Sequence, residues 1–350
     1  MKKFALCLSA VCALLFLPHA LAKTRAVAAG YHVVKKIAVG GEGGWDYLMM
    51  DSAARRLYVS HTSKVVVIDV DKNEVVGEIP GTNGVHGIAI APEFKRGFTS
   101  NGRDNSSTIF ELETLKVIGT VKTGGNPDAI IYDPATKHVF AFNRTRAAAE
   151  ASATVFDAAK GEVVGTIPLG GRPEFAVSDG KGKVFVNLDD KNEIVVLDAR
   201  KLTVTQRWPL APGTGPSGLA LDAKNHRLFS VCGDSQKMIV MNAENGKVVA
   251  ALPIGKGTDA AAFDPGTGLA FSSNGEGTLT VVHEDSPDKF SVVENAKTQT
   301  GARTMALDVK THKVYLAAAE YGPPPAATTE RPNPRPAMVP GSFGVLVLEK

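Results

Sequence analysis

The chain has 350 residues, 44% of them hydrophobic and 21% charged, and a formal net charge of +3. This length would allow two ordinary domains of ~150 residues each, but no linker divides the chain. The small net charge argues against a partner that is recognised by overall charge alone, so any electrostatic site must be local.

The N-terminus has the pattern of an export signal. Two lysines precede an apolar run over residues 4–17, and Ala20 and Ala22 form the small-x-small motif that signal peptidase cleaves. The run is shorter than the ~20 apolar residues of a membrane-spanning helix, and no later stretch is apolar enough to span. We therefore predict a signal peptide over residues 1–22 and a periplasmic or secreted protein. Cleavage leaves Cys232 as the only thiol, so the mature chain has no internal disulfide.

The rest of the chain is organised as a repeat. A short apolar strand, which ends in Asp in six of its seven copies, recurs at intervals of 40 to 46 residues. The seven anchor positions are Asp51, Ala91, Asp133, Asp179, Asp222, Asp264 and Asp308. A period of this length in a chain with little helical spacing indicates a repeat architecture built from strands.

Each copy contains three further strands after the anchor. Examples are KHVFAF and GKVFVN for the second strand, IVVLD for the third and VVGTI for the fourth, with Gly, Asp, Asn and Pro between them. Four antiparallel strands repeated seven times predict an all-β protein, a seven-bladed β-propeller.

The two ends of the chain predict how the ring closes. The segment VVKKI at 33–37 matches the fourth strands, but no first three strands precede it. The last copy stops after its third strand, FGVLVLEK at 343–350. We therefore expect the N-terminal strand to complete the last blade, so that residues 31–350 form a single domain.

Two further sets of polar residues are assigned to turns. The polar residues that end the third strands are expected to cap the following turn by accepting bonds from backbone N–H groups. These are Asp69, Glu111, Asp157, Asp198, Asn242, His283 and Glu349. Basic residues and histidines that precede the second strands are expected in solvated turns. These are Arg56, His138, Lys183, Arg227 and Lys313.

The last blade carries an insert at 321–340, YGPPPAATTERPNPRPAMVP. Seven prolines in twenty residues favour polyproline II or irregular structure. The insert follows the second strand of the last blade, so we expect it on the face of the channel mouth. It is either a lid or partner-docking segment, or a solvated loop.

The repeats resemble those of a known family. The segments KVVVIDVDKNEVVGEIPG and KVFVN…NEIVVLDARKLTV resemble the YVTN-type repeat of YncE-like periplasmic propellers, and RPAMVPGSFGVLVLEK resembles the C-terminal end of one branch of that family. The resemblance covers essentially the whole mature chain and implies a periplasmic propeller. It implies no single activity, because the roles proposed for such proteins include ligand, nucleic-acid and protein binding.

The repeat also predicts which residues meet at one mouth of the channel. In a propeller the first strands line the channel, and function usually lies in the loops at one of its mouths. Five residues before the anchors lie Asp46, His86, Asp128, Glu174, Ser217, Asp259 and Arg303. At the ends of the second strands lie His61, Asn101, Asn143, Asn187, Cys232, Asn274 and Ala318. We predict that these residues, except Ser217, Cys232 and Ala318, form a ligand-binding mouth.

Two functions follow from a mouth of this composition. The preferred one is a polar pocket that binds a small molecule or a partner protein, with the propeller as a scaffold. Alternatively, Asp128, Glu174 and Asp259 could hold calcium, which prefers oxygen ligands, and support a lactonase-type hydrolase. We favour binding over catalysis, and assign no catalytic residue and no cofactor.

Two further interpretations remain. Single-stranded nucleic acid would find Arg103, Arg144, Arg146 and Arg172 on this face, but few stacking aromatics beyond Trp45 and Tyr321. The polar residues could also be a hydrated channel lining that satisfies itself with ordered water.

Overall fold

The structure is a computed structural model that describes Met1, residues 30–326, Pro334 and residues 336–350. Apart from Met1, the predicted signal peptide lies outside the described residues. Within them, twenty-eight strands form seven antiparallel sheets of four strands each. The predicted seven-bladed β-propeller is confirmed.

Blades 1 to 4 take their strands in chain order. Blade 1 contains β2 (Leu48–Asp51), β3 (Arg56–His61), β4 (Lys64–Asp69) and β5 (Glu74–Pro80). Blade 2 contains β6 (Val85–Ala91), β7 (Arg96–Asn101), β8 (Ser106–Glu111) and β9 (Val117–Lys122). Blade 3 contains β10 (Pro127–Asp133), β11 (His138–Asn143), β12 (Ser152–Asp157) and β13 (Val163–Pro168). Blade 4 contains β14 (Pro173–Ser178), β15 (Lys183–Leu188), β16 (Glu193–Asp198) and β17 (Thr203–Pro209).

Blades 5 to 7 complete the ring. Blade 5 contains β18 (Pro216–Asp222), β19 (Arg227–Cys232), β20 (Lys237–Asn242) and β21 (Val248–Pro253). Blade 6 contains β22 (Thr258–Asp264), β23 (Leu269–Asn274), β24 (Thr278–Ser286) and β25 (Lys289–Lys297). Blade 7 contains β26 (Met305–Asp308), β27 (Lys313–Ala318), β28 (Gly344–Glu349) and, from the N-terminus, β1 (His32–Ala38). Two short 3-10 helices lie at Pro92–Phe94 and Ala148–Glu150. None of the helices in the described ranges is long and apolar enough to cross a membrane.

Burial follows the position of a strand within its blade. The first strands of neighbouring blades contact one another around the central axis. The third strands are runs of buried residues, as in β4, because both of their faces pack on adjacent blades. The fourth strands are mostly exposed, and Val75 and Val76 of β5 face solvent. This pattern places the hydrophobic core between the blades.

Four of the seven side chains that end the third strands cap the following turn, as predicted from the sequence. The other three contact side chains instead: Glu111 contacts Thr114, His283 contacts Asp285 and Glu349 contacts Lys313. The Asp69 carboxylate accepts hydrogen bonds from the N–H groups of Asp71 and Lys72, both at 3.0 Å. The same arrangement recurs at Asp157, Asp198 and Asn242. These side chains replace backbone partners in the turn, so they have a structural role.

Two of the basic residues expected in solvated turns are instead contacts between blades. Arg56 of blade 1 donates to the carbonyl oxygen of Leu112 in blade 2. Arg227 of blade 5, only 7% exposed, donates to the carbonyl oxygen of Pro287 in blade 6 at 2.6 Å. The expectation of a solvated turn is wrong for both, because the start of each second strand faces the outer turn of the next blade.

The N-terminal strand closes the ring as predicted. Strand β1 pairs antiparallel with β28, from His32 opposite Glu349 to Ala38 opposite Gly344. Ile37 is 3% exposed and packs in the same cluster as Phe343. The last blade is therefore held by strands from both ends of the chain.

The Pro-rich insert leaves the ring through a narrow stem. Tyr321 and Met338 form an isolated bridge, and the N–H of Gly322 donates to the carbonyl oxygen of Ala337 at 2.9 Å. Met338 and Tyr321 line a cleft with Gly43 and Gly44, next to the predicted mouth. Residues 327–333 and 335 are outside the described part, and the lid or docking role stays a prediction.

Closure by β1 makes a testable contribution to stability. Ile37→Ala removes buried methyl groups from the seam between the chain ends, so we expect a loss of about 2–4 kcal/mol in the free energy of unfolding. Val34→Ala, in the same strand but 41% exposed, should change it by less than about 0.5 kcal/mol. Urea unfolding of both variants gives the comparison. Equal effects of the two substitutions would contradict closure through Ile37.

Candidate functional site

The predicted mouth residues of neighbouring blades contact one another. The imidazole Nδ1 of His86 lies 2.7 Å from Oδ2 of Asp46 and 3.8 Å from Oδ1 of Asp128. These three residues come from blades 1, 2 and 3, at the same offset before their anchors. The repeat therefore brings them together as predicted.

Arg144 extends this cluster to blade 4. Its Nη2 lies 2.7 Å from Oε1 of Glu174 and also contacts the carboxylate of Asp189. Its Nε lies 3.8 Å from Oδ2 of Asp128. Arg172 holds the other oxygen of Asp189, with 3.0 Å between Nε and Oδ1. We call Asp46, His86, Asp128, Arg144 and Glu174 the mouth cluster.

A second ion pair joins blades 6 and 7 at the mouth. The guanidinium of Arg303 contacts the carboxylate of Asp259. The Ser217 hydroxyl also donates to Oδ1 of Asp259 at 2.9 Å. Blades 5, 6 and 7 thus contribute one ion pair and one hydrogen bond beside the mouth cluster.

Burial shifts the pKa values of the mouth carboxyls upward. Desolvation, and then the charge of Asp46, raises the pKa of Asp128 to about 6. Desolvation also raises the pKa of Asp259 to about 6. Desolvation, with the charge of Asp128 next, raises the pKa of Glu174 to about 8, although Arg144 opposes this shift. The fold thus holds several carboxyl groups where their charged forms are poorly solvated.

The pKa of His86 is also raised, but for a different reason. Burial lowers its pKa, but the hydrogen bond to Asp46 and the charges of Asp128 and Asp46 outweigh burial and raise it. His61, the other histidine of the predicted mouth, has its pKa lowered by burial. It packs edge-on against the Phe343 ring, with centroids 4.6 Å apart.

Two aromatic rings form a floor beneath the charges. Tyr47 of blade 1 and Phe175 of blade 4 pack with their ring centroids 4.5 Å apart, so the pair spans the channel. Each follows a mouth carboxylate, Asp46 or Glu174, by one residue. Burial, followed by the surrounding carboxylates, raises the pKa of Tyr47 well above its usual value. Along these strands, the pair lies between the mouth carboxylates and apolar residues such as Met49 and Ala176, which line a cavity further along the channel.

A cavity of about 410 Å³ opens at the mouth. Its polar and aromatic lining consists of Trp45, Asp46, Thr62, His86, Arg103, Asn126 and Arg303. Three of these seven are predicted site residues. Trp45, Arg103 and Asn126 lie in the loops that lead into and out of the strands, and a simple offset from the anchors does not find them.

The four asparagines of the predicted mouth lie inside the blades. Asn101, Asn143 and Asn274 each donate to a threonine of the adjoining third strand, at 2.8, 3.0 and 3.0 Å. Asn187 donates to the carbonyl oxygen of Ser217 in the next blade at 2.8 Å. All four are buried and none lines the cavity. Their observed contacts brace the strands that carry the mouth.

The predicted calcium ligands are not assembled as a set. Glu174 is paired with Arg144, and Asp259 is paired with Arg303. Each of these two carboxylates therefore already has a cationic partner from the chain. Among the described residues, one group brings three metal-ligating atoms within 4.8 Å of one another, and it consists of Asp46, His86 and Asp128. Sequence reasoning placed these three at the mouth but did not single them out as a donor set.

In comparisons with known proteins, no family model and no curated protein matches the chain. The propeller fold is therefore shown by the structure, whereas the YncE-like family rests on the sequence resemblance.

The raised carboxyl pKa values predict that stability falls as pH rises. A carboxyl whose pKa is higher in the folded state favours folding fully below its unfolded pKa, and this contribution is lost as pH rises through the folded value. For Glu174 the window runs from 4.5 to about 8. One pKa unit corresponds to about 1.4 kcal/mol, so the expected loss across the window is on the order of several kcal/mol.

Glu174→Gln tests this prediction because it removes the ionisation and keeps the size of the side chain. We expect the variant to lose less stability than the wild type between about pH 5 and about pH 8, and to be the more stable protein at the upper end. Urea unfolding across this range provides the measurement. Glu244→Gln, at an exposed turn, is the control, and its free energy of unfolding should change with pH as in the wild type. An unchanged slope in Glu174→Gln would show that Glu174 is ionised throughout.

Proposed function

We propose that the protein is an exported β-propeller of the YncE-like type that binds a small organic anion in the cavity at its channel mouth. The observation that carries the proposal is an open cavity lined by charged side chains, Asp46, His86, Arg103 and Arg303, next to the desolvated carboxyl groups of the mouth. Shifted pKa values of this kind cluster at functional sites. The cavity volume of about 410 Å³ also lies in the range typical of small-molecule sites.

A hydrated lining alone accounts poorly for this arrangement. Polar groups that serve only the fold usually satisfy one another or remain solvated. Asp128 is instead buried, and its nearest basic nitrogens, on His86 and Arg144, are both 3.8 Å away. Keeping a carboxyl in this state destabilises the fold, so a binding role explains it better than a structural one.

The charges that line the cavity favour an anionic ligand. Arg103, Arg303 and His86 line it as basic groups, and Asp46 is the one carboxylate among the lining residues. Arg303 is already paired with Asp259, which leaves Arg103 as the better anchor for a carboxylate. The Trp45 ring offers an apolar wall, and Asn126 can accept or donate hydrogen bonds. A small hydroxycarboxylate fits this combination.

Nucleic acid is a weaker candidate for the same surface. Four arginines were its predicted contacts, Arg103, Arg144, Arg146 and Arg172. Two of them, Arg144 and Arg172, bind Asp189, and Arg144 also binds Glu174. Cations that are neutralised by neighbours contribute little to phosphate binding.

The proposed export depends on residues 1–22, which apart from Met1 lie outside the described part of the chain. Their sequence pattern supports it, together with the resemblance to periplasmic propellers.

Binding can be tested with three probes of defined charge. Gluconate, succinate and putrescine are titrated into metal-free mature protein, and binding is followed by isothermal titration calorimetry. We expect gluconate to bind best and the dication putrescine not to bind. Arg103→Gln should weaken gluconate binding by roughly tenfold or more, because a hydrogen bond between charged groups contributes about 1.5–3 kcal/mol.

Arg200→Gln is the matched control, because Arg200 lines a separate pocket at the anchor end of blades 4 and 5. It should bind gluconate like the wild type. The proposal fails if neither anion binds, if putrescine binds best, or if Arg200→Gln weakens binding as much as Arg103→Gln does.

A further inference from the structure

The mouth has an uneven distribution of cationic partners. Arginine nitrogens lie within 3.0 Å of three of its carboxylates, which are Glu174, Asp189 and Asp259. The other two, Asp46 and Asp128, share the imidazole of His86, and the nearest arginine nitrogen to Asp128, Nε of Arg144, is 3.8 Å away. This part of the mouth therefore concentrates negative charge with the smallest compensation from the chain.

Asp128 provides a second and independent observation. The residue is 8% exposed, and its carboxylate makes no hydrogen bond within the described part of the chain. Buried carboxylates are nearly always paired or hydrogen-bonded, because an ionised group without partners is costly to bury. Its oxygens face Nδ1 of His86 on one side and Nε of Arg144 on the other, both at 3.8 Å. This carboxylate is thus aimed into the cluster with unused acceptor capacity.

The orientation of His86 is set by its packing. A Cβ atom placed on Gly102 would lie 2.8 Å from Nε2 of His86, so this edge of the ring is packed against backbone. The Nδ1 edge consequently faces Asp46 and Asp128. The imidazole nitrogen that points at the two carboxylates can therefore act as a metal ligand once it is deprotonated.

We propose that Asp46, His86 and Asp128 bind a divalent transition-metal ion such as Zn²⁺. Their donor atoms lie within 4.8 Å of one another, so an ion at ~2.0–2.2 Å from each nitrogen and oxygen requires only small side-chain movements. An imidazole with two carboxylates suits Zn²⁺ or Mn²⁺, whereas calcium prefers oxygen ligands throughout. The ion also supplies positive charge at Asp46 and Asp128, where arginine contacts are weakest, with Nε of Arg144 3.8 Å from Asp128.

The ion would have open coordination positions toward the cavity. The side chains of Asp46 and His86 are 24% and 31% exposed, and both residues line the cavity. An oxygen of water or of a bound carboxylate can complete the coordination from that side. The inference rests on the proposed function in this respect, since the ion and the organic anion share one cavity.

The experiment measures the binding of ZnCl₂ to mature protein that carries no polyhistidine tag and has been freed of metal on a chelating resin. Titration calorimetry should show one equivalent of Zn²⁺ bound, with no comparable binding of CaCl₂. Affinity should fall on acidification, because protons compete for His86. His86→Gln and Asp128→Asn should each weaken binding by more than the roughly tenfold loss that outer-shell substitutions cause.

His226→Gln is the matched control. His226 is an exposed histidine in a turn of blade 5, at the end of the blade where the anchor residues lie, away from the mouth. It should bind Zn²⁺ like the wild type. Thermal unfolding without metal shows whether each variant is folded. Co²⁺ offers a second readout, since its visible absorption bands should appear in the wild type and be absent in His86→Gln.

The outcomes separate this inference from the proposed function. Absence of Zn²⁺ binding, or binding that survives both His86→Gln and Asp128→Asn, overturns the metal site. Stronger binding of calcium than of zinc overturns the assigned metal class. Gluconate binding to metal-free protein, with its dependence on Arg103, is unaffected by either result. If the protein binds Zn²⁺ but does not bind gluconate, the metal site is supported and the proposed function is rejected.

Discussion

The structure depends on the pairing of β1 with β28. Seven similar sheets can close a ring only if the last blade is complete, and its outer strand comes from the opposite end of the chain. The hydrogen bonds of this pair and the burial of Ile37 convert a linear series of blades into a closed ring. No disulfide assists, because Cys232 is buried and unpaired in the described structure. The blades that carry the mouth residues are thereby joined in one closed ring.

A closed ring can carry a polar mouth that would destabilise a more flexible fold. The blades hold the mouth carboxyls by their backbones, while burial raises the pKa values of Asp128 and Glu174. Buried asparagines such as Asn143 brace the adjoining strands through hydrogen bonds to threonine. Keeping ionisable groups desolvated at the mouth lowers the stability of the protein, and the hydrophobic core between the blades offsets this loss.

The sequence predicted the features that repeat. Seven anchors at a nearly constant spacing predicted the ring, and the unmatched fourth-strand pattern at 33–37 predicted its closure. The same offset placed Asp46, His86 and Asp128 together, because equivalent positions of neighbouring blades are neighbours in space.

Contacts that cross the repeat were not predictable in this way. Tyr47 meets Phe175 across the channel because of the diameter of the ring, which no local pattern encodes. The direction of Asn143 depends on a threonine in the next strand, and the pairing of Arg144 depends on side-chain reach between blades. Spacing predicts where a Cα lies, whereas rotamers and cross-channel distances decide which groups interact.

The contact between the tilted rings of Tyr47 and Phe175 joins blades 1 and 4, which are not neighbours in the ring. It links opposite sides of the axis directly, without passing through the strands of blades 2 and 3. The polar cavity beside Trp45 and the apolar cavity near Met49 and Ile131 have no lining residue in common. The two ends of the axis can therefore diverge in chemistry without interfering with one another.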